Sequence, residues 1–261
     1  MRVLVCIPTI KGREEFLGRA VASYRERSSK HTDVYVEVVH DFPTCGQGWN
    51  AAVTRALTRL RPAPDFIHFG NDDIMVGAHW EQPLIEAAAQ GFLPAPRMEP
   101  AGHHLGEEPA EAPAPLWVAR SDRSYFFSDL PENQPKKDWA PLDHSALPFC
   151  SVGQWLKIGP FIPIHFGTDK WFYHRARLLG MKAVARMDSV VFNYATQIGR
   201  SKGEWSELDF IDFDLAIAYP LYIDGSLSFD ELPPLRGTPE GLECARIWRE
   251  SNFDGPHHWE V

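Results

Sequence analysis

Phe66-Ile67-His68-Phe69-Gly70-Asn71-Asp72-Asp73 is a short apolar run that stops at a glycine and passes directly into an amide and two carboxylates. Four aromatic and β-branched-rich positions bounded by Gly-Asn-Asp predict a strand whose carboxyl end carries the acidic residues. The same plan occurs twice upstream. Residues 2 to 8 form an apolar run ending at Pro8-Thr9, and residues 14 to 28 then carry Phe16, Leu17, Ala20, Val21 and Tyr24 at helical spacing. Residues 34 to 39 read as a second strand, ending at His40-Asp41, and residues 46 to 60 as a helix opened by Cys45-Gly46-Gln47-Gly48. After the third strand, residues 80 to 89 resume the helical pattern. Three successive strand-helix units predict an α/β fold: a Rossmann-related, mostly parallel, doubly wound sheet flanked by helices.

Beyond residue 92 the pattern weakens. Residues 93 to 115 contain six prolines and read as an irregular excursion, either a plain linker or a flap over a site. Strand-like character returns at 116 to 127, and an apolar stretch at 149 to 158 leads into Gly159-Pro160-Phe161. A helix is expected at 169 to 179, strands at 182 to 187 and 190 to 194, and an irregular C-terminal extension from 203. This gives a domain over residues 1–202, with the Pro-rich loop at 93–115, and an extension over 203–261 packed on the same domain.

Composition narrows the function classes. With 44% hydrophobic and 23% charged residues, the 261-residue chain belongs with folded globular proteins and not with disordered ones. No window supplies the roughly 20 apolar residues that cross a bilayer. The N-terminal apolar run meets Pro8 and Lys11 too soon for a signal peptide, so a cytoplasmic protein without an integral membrane segment is expected. Twenty-six basic against 35 acidic residues give a net charge of -9, which weighs against a broad basic surface tracking a phosphate backbone. Cys6, Cys45, Cys150 and Cys244 are too dispersed for a zinc ribbon or a disulfide framework and read as ordinary thiols. The pairs His103-His104 and His257-His258 lie in loop-like surroundings and form no metal motif.

In doubly wound sheets ligands bind beyond the carboxyl ends of the strands, which makes Pro8, Thr9, Asp41, Asn71, Asp72 and Asp73 candidates. Two adjacent carboxylates suit a hard divalent cation shared with substrate phosphates, whereas Asn and Asp equally suit a turn or a helix cap. Convergence of Asp41 with the pair would be costly without a cation or polar ligand. Farther on, Gly167-Thr168-Asp169 opens the aromatic helix. Spacing favours Asp169 as a cap that meets the helix dipole; the alternative is a general base taking a proton from a hydroxyl.

The ordered series Ile7-Pro8-Thr9, Asp41 with Gly46 and Asn50, Asn71-Asp72-Asp73, Lys157-Ile158-Gly159-Pro160-Phe161, Thr168-Asp169 and Arg175 to Met181 resembles the nucleotide-sugar glycosyltransferases of GT-A fold, especially the inverting family 2. The resemblance covers roughly residues 2 to 200. It implies that Pro8, Thr9 and Asp41 line a nucleoside pocket, that Asn50 and Asn71 contact substrate, and that Asp72 faces ribose or donor sugar. It further implies that Asp73 ligates Mn²⁺ or Mg²⁺ and that Asp169 is the base. The reaction implied is transfer of a sugar from a nucleoside diphosphate to an acceptor hydroxyl with inversion, the cation assisting the leaving group.

Two features depart from the family pattern. Thr168 stands where an acidic residue is usual, and residues 192 to 197 hold no histidine as a further metal ligand, leaving Asn193, a water, or His257 or His258 for that place. Arg200 and Lys202 supply positive charge for a pyrophosphate, or else belong to an ordinary basic turn. Trp49 and Trp171 read as core, and motif order sets Trp155 nearer the acceptor. The acceptor stays open among a glycan, a protein, a metabolite and a modified nucleic-acid base. Two other functions remain open: a catalytically silent nucleotide- or sugar-binding protein on the same fold, and a nucleotidyltransferase, for which residues 8 to 13 form only a weak phosphate loop.

Overall fold

The computed structural model describes residues 1–100, 139–140, 147–193 and 205–252. Strand β1 (Arg2–Thr9) lies at the centre of the first sheet, between β2 (Asp33–His40) and β3 (Phe66–Phe69), and pairs with both in parallel. Its residues Val3 to Ile7 are wholly buried, as expected of a parallel strand covered by helices on both faces. One crossover is helix α1 (Glu14–Glu26), which buries Ala20, Ser23 and Tyr24. The other is α2 (Cys45–Arg59), which buries Trp49, Ala52, Val53 and Ala56, a three-to-four-residue repeat along one face.

The chain runs from β1 to β2 on one side and to β3 on the other, so the loops after β1 and β3 part at a topological switch point, where such sheets form a crevice. The parallel centre is flanked by antiparallel additions. Strand β7 (Phe149–Ser151) extends the first sheet beside β3. A second sheet forms around β8 (Ala183–Asn193), which pairs antiparallel with β4 (Ile74–Val76) and β6 (Trp139–Ala140) and parallel with β5 (Leu93–Pro100). Helix α3 (Glu81–Ala89) links β4 to β5, and α4 (Val152–Ile158) follows β7 behind a Ser151–Gln154 capping box.

The structure corrects the reading of the proline-rich stretch over its first eight residues, which form β5 and not an irregular excursion. Among the described residues β5 pairs only with β8, so it is an edge strand, and Pro94, Pro96 and Pro100 fall at even positions. Alternate residues of a strand turn their N–H groups to opposite sides, so prolines spaced by two need remove no bond to the partner; Leu93 N–H still reaches the Lys182 carbonyl at 2.8 Å. The two strands expected at 182–187 and 190–194 are one, with a register break that steps from Pro96–Arg186 to Arg97–Val190. The expected strand at 116–127, both histidine pairs, Arg200 and Lys202 lie outside the described residues.

After β8 come α6 (Glu207–Asp212), a π-helical segment (Phe213–Ala218), α7 (Tyr219–Ile223) and α8 (Pro239–Asn252). They build a second apolar cluster in which Phe210, Phe213, Tyr222 and Leu242 close over Ile162, Ile164 and Trp171. Helix α5 (Thr168–Leu178) joins the two cores, since Phe172 and Ala176 belong to the first and Trp171 to the second. No described helix is long and apolar enough to cross a membrane.

Candidate functional site

Register brings the candidates to one edge. Thr9 and His40 form the last rung between β1 and β2, and Cys6 and Phe69 the last between β1 and β3. The pairing continues one bond further on each side: Asp41 N–H reaches Thr9 O at 3.0 Å and Gly70 N–H reaches Cys6 O at 2.9 Å. Asp41 itself takes the left-handed conformation at φ 58°, one of the few non-glycine types that enter it readily, and this turns the chain away from β2. A cleft of about 890 Å³ opens beyond this edge, and its lining includes Pro8, Thr9, Asp41, Asn71 and Asp72.

Inside the rim, Asp72 and Asp73 are tied to a residue that the sequence reading did not single out. One nitrogen of Arg13, Nη2, lies 2.9 Å from Asp72 Oδ1 and 2.9 Å from Asp73 Oδ2. The Thr9 hydroxyl donates to the other Asp72 oxygen at 2.6 Å. All four residues are almost completely buried. Burial raises the pKa of Asp72 above the usual carboxylate range, while the Thr9 hydroxyl and the Arg13 guanidinium oppose the rise. Of the adjacent acids, Asp72 lines the cleft together with Thr9 and Arg13, whereas Asp73 is absent from its lining.

The glycine-rich opening of α2 is explained by close approach. A Cβ on Gly46 would strike the Ile162 carbonyl and lie 2.6 Å from Thr168 Oγ1; one on Gly48 would lie 2.6 Å from Pro8 Cβ. The first turn of α2 is thus wedged between the end of β1 and the segment entering α5. Thr44 caps it by accepting from Gln47 N–H at 3.3 Å, and Gly46 N–H reaches Ile164 O at 3.3 Å. Asn50 fixes the same segment from the side, its Nδ2 donating to Phe161 O at 2.8 Å and its Oδ1 accepting from Phe161 N–H at 2.9 Å.

Five candidates are absent from the cleft lining: Asp73, Asn50, Thr168, Trp155 and Asp169. Asn50 spends its amide on the Phe161 backbone. The buried Thr168 hydroxyl donates to Ile162 O at 2.9 Å. Trp155 is placed in the core, stacked on Phe172 at 5.8 Å and packed against Phe69 and Phe161. Trp49 and Trp171 are buried, and Trp49 Nε1 donates to Gly70 O at 2.9 Å. Asp169 occupies the first turn of α5, half-buried, with its Oδ1 accepting from Lys170 N–H at 2.9 Å. It lies within electrostatic reach of Tyr219, whose pKa burial pushes up to about 12 with Asp169 adding to the rise, and of Tyr173, raised for the same two reasons.

The opposite wall was not anticipated. Trp205, Phe210, Leu232, Pro233, Arg236 and Leu242 line it, all from the C-terminal extension. Arg236 lies over the Phe210 ring at 4.8 Å and pairs with Asp214 through Nε at 2.7 Å and Nη2 at 3.0 Å. Asp214 Oδ2 in turn accepts the backbone N–H groups of His165 and Phe166, at 3.0 and 3.2 Å, and those two residues also line the cleft. No local motif announces this arrangement; the sequence shows only Arg236 in a segment rich in aromatic and acidic residues.

The divalent cation implied by the resemblance does not fit these side chains as they stand. The facing oxygens of Asp72 and Asp73 both meet Arg13, and the second Asp72 oxygen holds the Thr9 hydroxyl. Hard divalent cations require several oxygen ligands, and among the described residues no three His, Cys, Asp or Glu side chains gather as a metal site would.

No protein-family model matches the chain, and no curated protein matches it either. Solved structures do. A structure of GalNAc-T7 with UDP, GalNAc and Mn²⁺ superposes with a TM-score of 0.59 at 12% identity, covering 97% of this chain and 56% of that one. The chain thus spans little more than half the length of GalNAc-T7. Residues 1–349 of TarS from S. aureus give a TM-score of 0.49 at 10% identity, covering 85% of this chain and 74% of that one. At such identity the likeness to GalNAc-T7 shows the fold alone: an α/β fold of the GT-A type found in glycosyltransferases.

Proposed function

We propose that the protein is a glycosyltransferase that moves a sugar from a nucleoside diphosphate to an acceptor hydroxyl. The observation that carries this reading is the cleft at the switch point, with Pro8, Thr9, Asp41, Asn71 and Asp72 on its sheet side, in a GT-A-type fold. In the proposal, Pro8, Thr9 and Asp41 receive the nucleoside, with the exposed Asp41 carboxylate accepting hydrogen bonds from base or ribose. Asn71 and Asp72 face the ribose or the sugar.

The acceptor oxygen attacks the anomeric carbon from the side opposite the diphosphate. As the new C–O bond forms, the bond to the diphosphate breaks, its electron pair leaves with the phosphate oxygen, and the hydroxyl proton passes to Asp169. Configuration inverts. The step needs positive charge near the departing diphosphate; Arg13 and Arg236, the guanidinium groups on the described cleft lining, are both committed to buried carboxylates. Arg200, outside the described residues, is the candidate for this role. Asn50 and Thr168 serve the reaction as positioning residues, because they hold the segment that leads into Asp169. No step is assigned to a divalent ion, since Arg13 engages both carboxylates that would hold it.

The test is a thermal-shift panel of nucleoside diphosphates and their sugars, followed by a transfer assay. A selective nucleotide should raise Tm by mass action and its sugar conjugate should be consumed. If no nucleoside diphosphate raises Tm at millimolar concentration, the proposal fails. Binding without turnover on any acceptor would instead indicate a silent binding protein.

A further inference from the structure

We propose that Arg13 is the resident cation of the acidic site, standing in place of a divalent metal between Asp72 and Asp73. Three features on the same few atoms carry the inference. A single guanidinium nitrogen is equidistant, at 2.9 Å, from one oxygen of each carboxylate. The Arg13 side chain is only 5% exposed and the two acids are equally enclosed, so the contact is a built part of the interior and not a surface pairing. The remaining Asp72 oxygen is taken by the Thr9 hydroxyl.

Charge and chemistry favour permanence. Two carboxylates and one guanidinium leave a single negative charge, whereas a pair of dry carboxylates with no cation would be held apart only at great cost. Arginine cannot leave by losing its proton, as a buried lysine could. A divalent ion arriving at these oxygens must either expel a buried guanidinium or sit beside it with like charge. Because Arg13 is anchored at the start of α1, the site carries its counter-charge covalently, whatever the supply of metal. The inference rests on these contacts and not on the transfer reaction.

The test is a titration of the full chain with Mn²⁺ alone, followed by calorimetry and by the loss of the free Mn²⁺ electron paramagnetic resonance signal, with no donor or acceptor present. The wild-type protein should take up no ion at this site. Arg13→Gln, which takes the guanidinium away from two adjacent carboxylates, should acquire one site at least about tenfold tighter than anything in the wild type, and adding Asp73→Asn should remove it. Wild-type uptake abolished by Asp73→Asn overturns the proposal, as does a folded Arg13→Gln protein that gains no site. Should Arg13→Gln fail to fold by circular dichroism, the wild type decides alone: uptake sensitive to Asp73→Asn overturns the proposal, and no uptake, or uptake indifferent to that change, upholds it. Since nucleotide is absent throughout, failure here leaves the transferase proposal to its own assay.

Discussion

Arg236 and the fully buried Asp214 form a two-pronged ion pair, and the same Asp214 carboxylate gathers the backbone N–H groups of His165 and Phe166. The C-terminal extension is thereby stitched to the segment that enters α5. Replacing Arg236 by Met should leave the Asp214 charge buried without its guanidinium and lower stability by about 3–5 kcal/mol, the range for breaking a buried pair from one side. Urea unfolding of the variant measures it, and a loss below about 1 kcal/mol would show that water compensates the charge.

Asp169→Asn removes the proposed proton acceptor while keeping the shape of the first turn of α5. Transfer should fall by about a hundredfold to ten-thousandfold, the usual contribution of a positioned base. Nucleotide-induced thermal stabilisation should persist. Retention of full turnover would reassign Asp169 to capping the helix.

His68 sets a pH dependence. Its ring is fully buried on β3, 3.0 Å from the Tyr24 hydroxyl and beside Trp80, and burial draws its pKa from 6.5 to about 3. The unfolded chain binds a proton here that the folded one refuses, so the contribution is complete above about pH 6.5 and declines as pH falls toward about 3, by up to about 1.4 kcal/mol per pH unit. The urea midpoint should drop between about pH 7 and about pH 5, and His68→Gln should flatten that drop whatever its effect on stability at neutral pH. Parallel slopes in the two proteins would remove His68 as the cause.

Gly46→Ala introduces a methyl group against the Ile162 carbonyl and the Thr168 hydroxyl, neither of which can move without shifting the entry to α5. The expected cost is about 1–3 kcal/mol, typical of overpacking. Because the shift is transmitted toward Asp169, turnover should suffer more than nucleotide binding, read as a fall in kcat with little change in donor KM.

Much of the sheet side was legible in the sequence because it is written locally. Phe66 to Asp73 reads as a strand, its stop and its acidic end within eight residues, and parallel pairing through β1 then carries Thr9, Asp41 and Asn71 to the same edge. The partners that give these residues their state are distant in the chain. Arg13 meets Asp72 and Asp73 some sixty positions away, and His165 meets Asp214 across forty-nine. Periodicity and spacing carry no record of such pairings. Trp155 illustrates the converse: its place in motif order says nothing of Phe69, Phe161 and Phe172, which enclose it from other elements. In β5, proline content pointed away from a strand, and the strand's edge position among the described residues makes the prolines acceptable.

The shared apolar cluster also has a practical consequence for anyone trimming the protein. A fragment ending after β8 would lose Phe210, Phe213, Tyr222 and Leu242, baring Ile162, Ile164 and Trp171 as a sticky patch beside the cleft. Such a minimal version is expected to aggregate on expression, so the shortest useful boundary falls beyond α8.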